Sequence, residues 1–437
     1  MDLPDVSVIV LNFNSLQYLE PCFSSLSTLD YPAGRLELIL ADNASSDGSR
    51  EFVRERYPQV RVVALPRNYG FSRGNNLAAV EARGKYVAFL NPDMRVEPTW
   101  LSELVKPALA ANDVAAVGSR ILSWDGKRID FAGSLHNFYG HGWQVGFGDE
   151  NIKNYVEDRE ILAPCGGAML IDRQVFLDAG GFDEDFFAYF EDSDLGWRLW
   201  VMGYRAMLAA RSVTYHVHHG AWGQVGHARK LVLYERNALY SLIKNYDDEN
   251  LARVLPVALL LLLERAYLYA RPGFDPAAFR VGALSAKPSA QNCTPVAPPP
   301  SPLTKTPYTA GYYWRETWRT LRQGGPGALW SKTRAELDRR GWTARLSRFV
   351  RPPARHEVEV PSTACSALIA GSDVARFYPV MLEKRKKVQT ARRRSDDEII
   401  KLFHIPYRSN FSDSSYEEVQ RELVRLFQLD RRFGDME

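Results

Sequence analysis

Four acidic side chains and one histidine stand out because each follows a short apolar run. Asp42 follows LELILA, Asp93 follows YVAFLNP, the pair Glu191 and Asp192 follows GFDEDFFAYF, and His216 follows SVTY. A carboxylate can accept a proton, accept an N–H group of a ligand or bind a hard divalent cation, and imidazole can also bind protons and metals. These residue types indicate a binding or catalytic site, provided that the fold brings them together.

The pattern around them is typical of βα units. Residues 1–120 alternate short apolar runs with helix-patterned stretches, which predicts a parallel sheet with strands buried on both faces. Ser15 and Asp47 are the expected N-caps of the first two helices. Residues 121–165 lack periodicity and predict loops that line a cleft. The sequence predicts strands at 6–11, 36–41, 60–65, 86–90, 114–117, 168–171 and 212–215, and later helices at 174–179, 192–202, 228–245 and 250–270.

Polar residues follow each of the first four predicted strands. In an open parallel sheet the carboxyl ends of the strands share one edge, where ligands bind at the switch in strand order. We therefore expect one cleft, although each residue by itself is equally typical of a turn. The residues concerned are Asn12 and Asn14 after the first strand, Asp42, Asn43, Ser45 and Asp47 after the second, Asn68 after the third, and Asn91 and Asp93 after the fourth.

Each part of this cleft suggests its own chemistry. The carboxylate of Asp42 suits the imide N–H of a uracil or thymine ring, and the amides of Asn12 and Asn68 can meet carbonyl and N–H edges alike. The loop NYGFSRGNN at 68–76, with Gly70 and Asn75, opens a predicted helix whose free N–H groups could face a phosphate.

Asp93 is the candidate metal ligand of the cleft. One carboxylate with phosphate oxygens and water makes an oxygen-rich site for Mg²⁺ or Mn²⁺, which would stabilise a departing nucleoside diphosphate. A plain Pro-Asp turn is the alternative interpretation of Pro92-Asp93.

Six ordered motifs carry a family resemblance. VSVIVLNFN, ADNASSDGS, NYGFSRGNN, LNPD, GGFDEDFFAYFEDSDLGWRLWVMGYR and VTYHVHHG resemble the family-2 inverting glycosyltransferases, and most closely the bacterial rhamnosyltransferase-like members. The similarity covers about residues 5–245. It implies a GT-A (Rossmann-like) α/β fold, with a mostly parallel sheet flanked by helices. Asn91-Pro92-Asp93 stands where the family often has Asp-X-Asp.

The resemblance also implies residue roles. Glu191 and Asp192 match an acidic pair whose second member usually serves as the base, although Asp192 also suits a helix N-cap. His216 matches the late histidine that completes a metal or diphosphate site, with His218 as the alternative ligand. Arg236-Asn237 matches a further pattern of the family. The implied nucleotide-sugar site comprises Asn12, Asn14, Asp42, Asn43, Asn68, Gly70, Asn75, Asn91 and Asp93, with Asp93 and His216 as metal ligands.

The implied reaction is inverting transfer of a sugar in surface polysaccharide synthesis. The expected donor is dTDP-rhamnose or another dTDP- or UDP-sugar, the acceptor is a hydroxyl of a glycan or polyprenyl-linked glycan, and the expected cofactor is Mg²⁺ or Mn²⁺. Two other classes stay open, a nucleotide-sugar binding protein without turnover and a nucleic-acid-binding protein that uses a basic C-terminal region. Nucleic acid binding is not expected, because no recognition motif supports it.

Charge divides the chain of 437 residues, whose net charge is +3. Residues 1–270 hold 26 bases and 34 acids, whereas 271–437 hold 29 bases and 18 acids. We expect a catalytic domain at 1–245, a helical extension at 246–287, a proline-rich linker at 288–311 and a basic, mainly helical C-terminal region at 312–437.

Two basic stretches in that last region, 315–355 and 376–394, have two interpretations. A solvated helix face is the default, and attachment to an anionic membrane is the sharper one. The N-terminus lacks a signal-peptide pattern, the apolar run at 254–263 is too short to span a bilayer, and four widely spaced cysteines suggest a reducing compartment. The expected location is the cytoplasm, on the inner face of the plasma membrane.

Overall fold

A computed structural model describes residues 3–217, 226–270, 361–409, 411 and 413–435. All of these belong to one compact unit formed by Met1–Pro272 and Val360–Glu437, and Gly273–Glu359 form a second unit. His218, the predicted linker at 288–311 and the basic stretch at 315–355 lie outside the described residues. The predicted domain boundaries at 245, 287 and 311 stay predictions.

A ten-stranded mixed sheet forms the centre of the described unit, in the order β10-β12-β6-β11-β4-β1-β2-β3, with β5 paired to β12 and β7 to β6. Strands β8 and β9 form a separate hairpin. The strands are β1 (Val6–Asn12), β2 (Leu36–Asp42), β3 (Arg61–Ala64), β4 (Tyr86–Leu90), β5 (Met94–Val96), β6 (Val114–Ser123), β7 (Ile129–Phe131), β8 (Ser134–His136), β9 (Gly142–Gln144), β10 (Arg159–Glu160), β11 (Ala168–Asp172) and β12 (Arg205–His216).

The predicted α/β class is confirmed. Strand β1 is parallel to both β2 and β4, and β2 is parallel to β3, so the carboxyl ends of these four strands meet at one edge. Strand β11 runs antiparallel between β4 and β6, which makes the whole sheet mixed. The side chains of β1 and β4 are almost all buried, as predicted, whereas the edge strand β3 is only half-buried.

The segment 121–165 differs from its prediction as loops. It contains the end of β6 and the short strands β7 to β10. These later strands have only two or three residues each. A strand of that length shows no alternation in sequence, so its periodicity could not be recognised.

Helices flank the sheet and continue through the C-terminal part. In the described part of the chain, none of them is both long and apolar enough to cross a membrane. The α-helices are α1 (Leu16–Leu26), α2 (Ser49–Arg56), α3 (Gly70–Glu81), α4 (Trp100–Ala110), α5 (Arg173–Asp178), α6 (Glu191–Val201), α7 (His227–Asn245), α8 (Asp248–Ala270), α9 (Ser362–Thr390), α10 (Asp396–Ile399), α11 (Ser414–Leu426) and α12 (Asp430–Phe433).

The first two helices are held by one carboxylate. Ser15 was expected to cap α1, but its hydroxyl donates to the carbonyl of Phe13 instead. Asp47 accepts the N–H of Leu16 at 2.9 Å with one oxygen and the N–H of Ser49 at 3.1 Å with the other. The prediction of Asp47 as the N-cap of α2 is wrong by one residue, because Gly48 occupies the N-cap position. The carboxylate of Asp47 nevertheless accepts N–H groups at the starts of both helices.

The C-terminal helix α9 packs into the described unit. Its buried residues Ala367, Val374 and Met381 join the same apolar cluster as Leu239 of α7 and Leu261 of α8. Burial of such a face stabilises the packing by about 25 cal/mol per Å² of apolar surface. The C-terminal residues 361–435 therefore share a core with the part of the chain that precedes residue 270.

Four of the eight bases in the stretch 376–394 make contacts within the described unit. Arg385 donates to the carbonyl of Ile243 at 2.8 Å and pairs with Asp248, while Arg394 donates to the carbonyl of Tyr204 at 2.7 Å. Lys384 pairs with Asp183 and Asp185, and Arg392 pairs with Asp396. The expectation of a solvated face is wrong for these four bases, because intramolecular acceptors hold them.

A buried ion pair links α7 and α8. Arg265 donates to Glu235 with two N–H groups at 2.8 and 2.6 Å, and to the hydroxyl of Tyr416 at 2.8 Å. His141 lies 3.3 Å from the same glutamate. Burial alone would raise the pKa of Glu235, but the charges of Arg265 and His141 outweigh burial and lower this pKa to about 2.

We predict that Glu235→Gln destabilises the protein by about 3–5 kcal/mol, because the buried charge of Arg265 loses its carboxylate partner. Urea unfolding followed by circular dichroism measures this loss. Lys106→Ala, which breaks the exposed pair with Glu103, serves as the control and should change the unfolding free energy by less than about 0.5 kcal/mol. Similar losses in the two variants would contradict the prediction.

Candidate active site

A pocket of about 470 Å³ opens beside the carboxyl end of β4. It collects five predicted site residues from three segments of the chain. Asn91 and Asp93 lie between β4 and β5, Glu191 and Asp192 begin α6, and His216 ends β12. The structure therefore brings the predicted acidic pair and the predicted metal ligands to one place.

The remaining predicted nucleotide-sugar residues lie at or after the ends of β1, β2 and β3 and in α3, and they do not line this pocket. Asn12 and Asp42 are fully buried and face each other in register. Asp42 accepts an N–H of the Asn12 amide at 3.2 Å and the backbone N–H of Ser45 at 3.1 Å, and Arg50 lies 3.5 Å away. The carboxylate that is predicted to accept the N–H group of a pyrimidine ring therefore also holds the turn after β2.

Asn43 and Asn68 bond to each other at the next position along this edge. The side-chain amide of Asn43 donates to Asn68 Oδ1 at 3.0 Å, and its oxygen accepts the N–H of Tyr69 at 2.9 Å. Asn14 accepts the N–H of Ser46 at 2.8 Å. These contacts join the turns after β1, β2 and β3 into one network.

The glycine loop begins α3 with amides that are already bonded. The N–H of Gly70 donates to Asn68 Oδ1, and the N–H groups of Phe71 and Ser72 donate to the carbonyl of Phe187. Gly70 has a φ of 77°, and a Cβ there would lie 2.5 Å from the ring of Phe187. These N–H groups are used within the protein rather than left for a phosphate.

Asn75 lies one turn into α3 and is buried. Its side-chain amide donates to the carbonyl of Phe71 at 3.1 Å, within its own helix. The predicted contact between Asn75 and a nucleotide therefore stays a prediction.

Asp93 and His216 line the pocket, and Asp130, which is not among the lining residues, contacts His216. His216 Nε2 lies 3.6 Å from Asp93 Oδ2, and His216 Nδ1 lies 2.5 Å from Asp130 Oδ2. Burial alone would lower the pKa of His216, but hydrogen bonds and charges from Asp130 and Asp93 raise it to about 9.

This donor set suits a divalent cation. A histidine ligand commonly donates its other ring N–H to a carboxylate, which fixes the ring, and Asp130 is placed to do this for His216. A carboxylate and an imidazole are both ligands for Mn²⁺. Among the residues that the structure describes, however, no group of three or more His, Cys, Asp or Glu side chains has the arrangement of a complete metal site. The set therefore lacks further ligands, which substrate oxygens and water can supply.

Glu191 and Asp192 line the same pocket. Glu191 is buried, and burial together with the charge of Asp192 raises its pKa well above the ordinary value. Asp192 keeps some exposure to the pocket, yet the protein packed around it raises its pKa too, against hydrogen bonds from Gly166 and Ser193. A raised pKa makes each carboxylate a stronger base.

Asp192 is not the N-cap of α6. The helix begins one residue earlier, at Glu191, and Phe190 occupies the N-cap position. Asp192 accepts the N–H of Gly166 at 2.9 Å and that of Ser193 at 2.7 Å. The helix start thus leaves this side chain at the pocket wall, where a second role is open to it.

The sequence analysis missed several residues of the pocket. Asp130, which contacts the pocket residue His216, lies in β7 within the segment predicted as loops. Its position between the apolar residues Ile129 and Phe131 was the only indication in the sequence. His136 and Trp143 come from the β8–β9 hairpin, and Lys230 and Tyr234 come from α7. These residues belong to elements that either lacked periodicity or showed only a helical pattern.

Comparison with known proteins finds similarity in the first part of the chain. Residues 7–179 match the sequence family described as Glycosyl transferase family 2. The O-antigen biosynthesis protein RfbC of Myxococcus xanthus is 33% identical over 226 residues, which are 49% of this chain and 17% of that protein.

A second relative matches over a larger share of its own length. The N-acetylglucosaminyl-diphospho-decaprenol L-rhamnosyltransferase of Mycobacterium tuberculosis is 27% identical over 238 residues, or 48% of this chain and 76% of that protein. Among solved structures, GalNAc-T7 with UDP, GalNAc and Mn²⁺ superimposes with a TM-score of 0.47 at 17% identity, covering 65% of this chain and 53% of that one.

We predict that Glu191→Gln stabilises the protein. Because the pKa of Glu191 is raised above 4.5, the folded state binds this proton more tightly than the unfolded chain, and stability falls as the pH rises above that value. The variant should gain about 1 kcal/mol at neutral pH. The gain should disappear as the pH approaches 4.5.

Thermal unfolding across this pH range measures the effect. Glu51→Gln, at an exposed position of α2, is the control and should shift stability by less than about 0.5 kcal/mol. A Glu191→Gln variant that is less stable than the wild type at neutral pH would show that burial does not disfavour the charged form of Glu191.

Proposed function

We propose that the chain transfers a sugar from a nucleotide-diphosphate donor to an acceptor hydroxyl with inversion, and the match of residues 7–179 to the family described as Glycosyl transferase family 2 supports this. The observation that carries this proposal is that Asp192, Asp93 and His216 line one pocket. A base and a group that binds the leaving diphosphate must face the sugar from opposite sides.

Asp192 is the proposed base. An acceptor hydroxyl loses its proton as it attacks the anomeric carbon, and the raised pKa of Asp192 favours uptake of that proton. The oxygen–carbon bond forms while the bond to the diphosphate oxygen breaks. One carboxylate suffices for this single displacement, and the configuration inverts.

Glu191 supports this step without taking the proton. Residues that are adjacent in a helix point about 100° apart, so only one member of the pair can face the anomeric carbon. Glu191 Oε2 is buried without a hydrogen-bond partner among the described residues. Its negative charge also contributes to the electrostatic environment of Asp192, and it could accept a hydrogen bond from the acceptor.

The proposed donor is dTDP-rhamnose or another dTDP- or UDP-sugar. Asp42 and Asn12 would read the pyrimidine ring, since a carboxylate can accept more hydrogen bonds than Asp42 now receives. Asn14, Asn43, Asn68 and Gly70 belong to the hydrogen-bond network that shapes this part of the site. Asn75, one turn into α3, is a further proposed donor-binding residue. The printed name of the M. tuberculosis relative, a rhamnosyltransferase, supports rhamnose.

Asp93 and His216 would hold Mg²⁺ or Mn²⁺, and Asp130 would fix the ring of His216. When bound, such an ion stabilises the charge that develops on the leaving diphosphate. Asn91, next to Asp93, would contact the donor. The protein contributes the orientation of these groups and a pocket wall that limits access of water.

A glycan or polyprenyl-linked glycan is the proposed acceptor, in line with the decaprenol-linked substrate in the name of one relative. Trp143 and Tyr234 line the pocket and offer aromatic faces that suit a sugar ring. Attachment to an anionic membrane surface on the cytoplasmic side stays a proposal for the basic region 312–437, in which Arg385 and Arg394 of α9 and its C-terminal end are used in internal contacts.

We predict that Asp192→Asn lowers turnover by about 10²–10⁴-fold with nearly unchanged donor affinity, because the amide keeps its shape but cannot accept the proton. Glu191→Gln should lower turnover less. Release of dTDP or UDP in the presence of a polyprenyl-diphosphate-linked glycan measures the rate.

Asp172→Asn is the matched control. This aspartate caps α5 through the N–H of Val175 and lies outside the pocket, so the variant should keep wild-type turnover. An active Asp192→Asn beside an inactive Glu191→Gln would move the base to Glu191, and a wild-type protein without any transfer would refute the proposed function.

We predict that Mn²⁺ strengthens binding of dTDP and UDP at least about tenfold, and that Asp93→Ala and His216→Ala lose this gain because they remove its ligands. Asp130→Asn should lower the affinity for Mn²⁺ by about 10–100-fold and so weaken this gain. Calorimetric titration of nucleotide with and without Mn²⁺ measures it, with Asp125→Asn in an exposed turn as the control. Equal nucleotide affinities with Mn²⁺ and in excess chelator would contradict the proposed metal site. Tighter binding of GDP and ADP than of dTDP and UDP would contradict the proposed pyrimidine nucleotide.

A further inference from the structure

The loop that leads into α6 has an unusual backbone. Phe187, Tyr189 and Phe190 have φ values of 63°, 68° and 66°, in the left-handed region that side chains other than glycine rarely adopt. Three such residues within four positions are unfavourable by themselves. They persist only where the surrounding structure fixes them.

Asn237 of α7 supplies that fixation. It is fully buried, and its side-chain amide nitrogen lies 3.1 Å from the carbonyl oxygen of Phe186, 2.9 Å from that of Ala188 and 2.7 Å from that of Tyr189. The two N–H groups of this amide are therefore shared among three carbonyl oxygens of one loop. No acceptor-only side chain can replace them.

Arg236 fixes the orientation of this amide. Its Nε and Nη2 donate to Asn237 Oδ1 at 3.0 and 2.9 Å, so the nitrogen of Asn237 must face the loop. Arg236 also donates to the carbonyls of Asp185 and Phe186 at 3.0 and 3.2 Å. The two adjacent residues thus hold the same loop with five donated hydrogen bonds to its backbone.

The loop touches both sides of the site. The carbonyl of Phe187 accepts the N–H groups of Phe71 and Ser72 at the start of α3. Directly after the loop come Glu191 and Asp192, and Tyr189 and Phe190 line the same pocket. A change in the loop backbone would therefore move the acidic pair.

We propose that Asn237 is a positioning residue, which holds loop 186–190 so that Asp192 keeps its place at the pocket. This inference rests on the proposed transfer reaction for its kinetic consequence, but not for the loop itself. A misplacement of about 1 Å at a reacting group can cost about 10²-fold in rate, which sets the expected effect.

The experiment compares Asn237→Ala, Asn237→Ser and Asn250→Ala with the wild-type protein. Asn250 is the matched control, because it is also buried and donates its amide to Asp247 and Asp396, outside the pocket. Hydrogen–deuterium exchange of peptides covering 182–195 reports the loop. Turnover against pH reports the acidic pair.

We expect Asn237→Ala to lower kcat about 10²-fold with a smaller change in the KM of the donor, and to speed exchange in the loop about tenfold. Asn237→Ser, which keeps one donor, should lie in between. A looser loop admits water to Asp192, so the acidic limb of the pH profile should move to lower pH. Asn250→Ala should change neither the loop exchange nor the pH profile.

Unchanged loop exchange in a folded Asn237→Ser variant would overturn the inference, whatever its turnover. So would a loss of kcat without any shift of the pH profile, since that pattern fits a general loss of stability. If the wild type transfers no sugar, the proposed function fails, while the exchange comparison still decides whether Asn237 holds the loop.

Discussion

The burial of three carboxylates in the first turn of α6 is the constraint on which the site depends. Asp194 is neutralised by Arg198 at 2.8 Å and Lys244 at 2.9 Å. Glu191 and Asp192 form no ion pair with any described residue and keep raised pKa values. A buried charge without a partner is unfavourable. Basic partners stabilise the charge of Asp194, whereas Glu191 and Asp192 lack such partners among the described residues and stay available for proton transfer.

Residues near the C-terminus hold the β8–β9 hairpin, which lines the same pocket as this acidic pair. The N–H of His136 donates to the carbonyl of Phe403 at 2.8 Å, and the N–H of Phe138 donates to that of Pro406 at 3.0 Å. The amide of Asn137 donates to the carbonyl of Arg408 at 2.9 Å. These backbone contacts anchor the β8–β9 hairpin, so residues more than 260 positions away in sequence shape the pocket.

The sequence could predict what repeats locally and could not predict what depends on contact. The alternation of apolar runs with helical patterns placed the first β-strands and the cleft, and the family motifs led to Asp93, Asp192 and His216. Asp130 escaped because its strand has three residues, and the contacts of Asn237 escaped because nothing local shows that its amide meets a loop about 50 residues upstream. The start of α6 was misplaced by one residue because Phe190 takes a left-handed backbone that propensity does not favour.

The charge asymmetry of the chain has an internal explanation in the described part. Lys384 pairs with Asp183 and Asp185, Arg394 lies 3.9 Å from Asp113, and Arg432 lies 2.7 Å from Glu249. Each pair joins a base of the basic half to an acid of the acidic half. A surplus of bases in one segment therefore does not imply an external anion, because the compensating acids can belong to the same compact unit. Any attraction to an anionic surface must come from bases that such pairs leave exposed, which in the stretch 376–394 are Arg376, Lys386, Lys387 and Arg393.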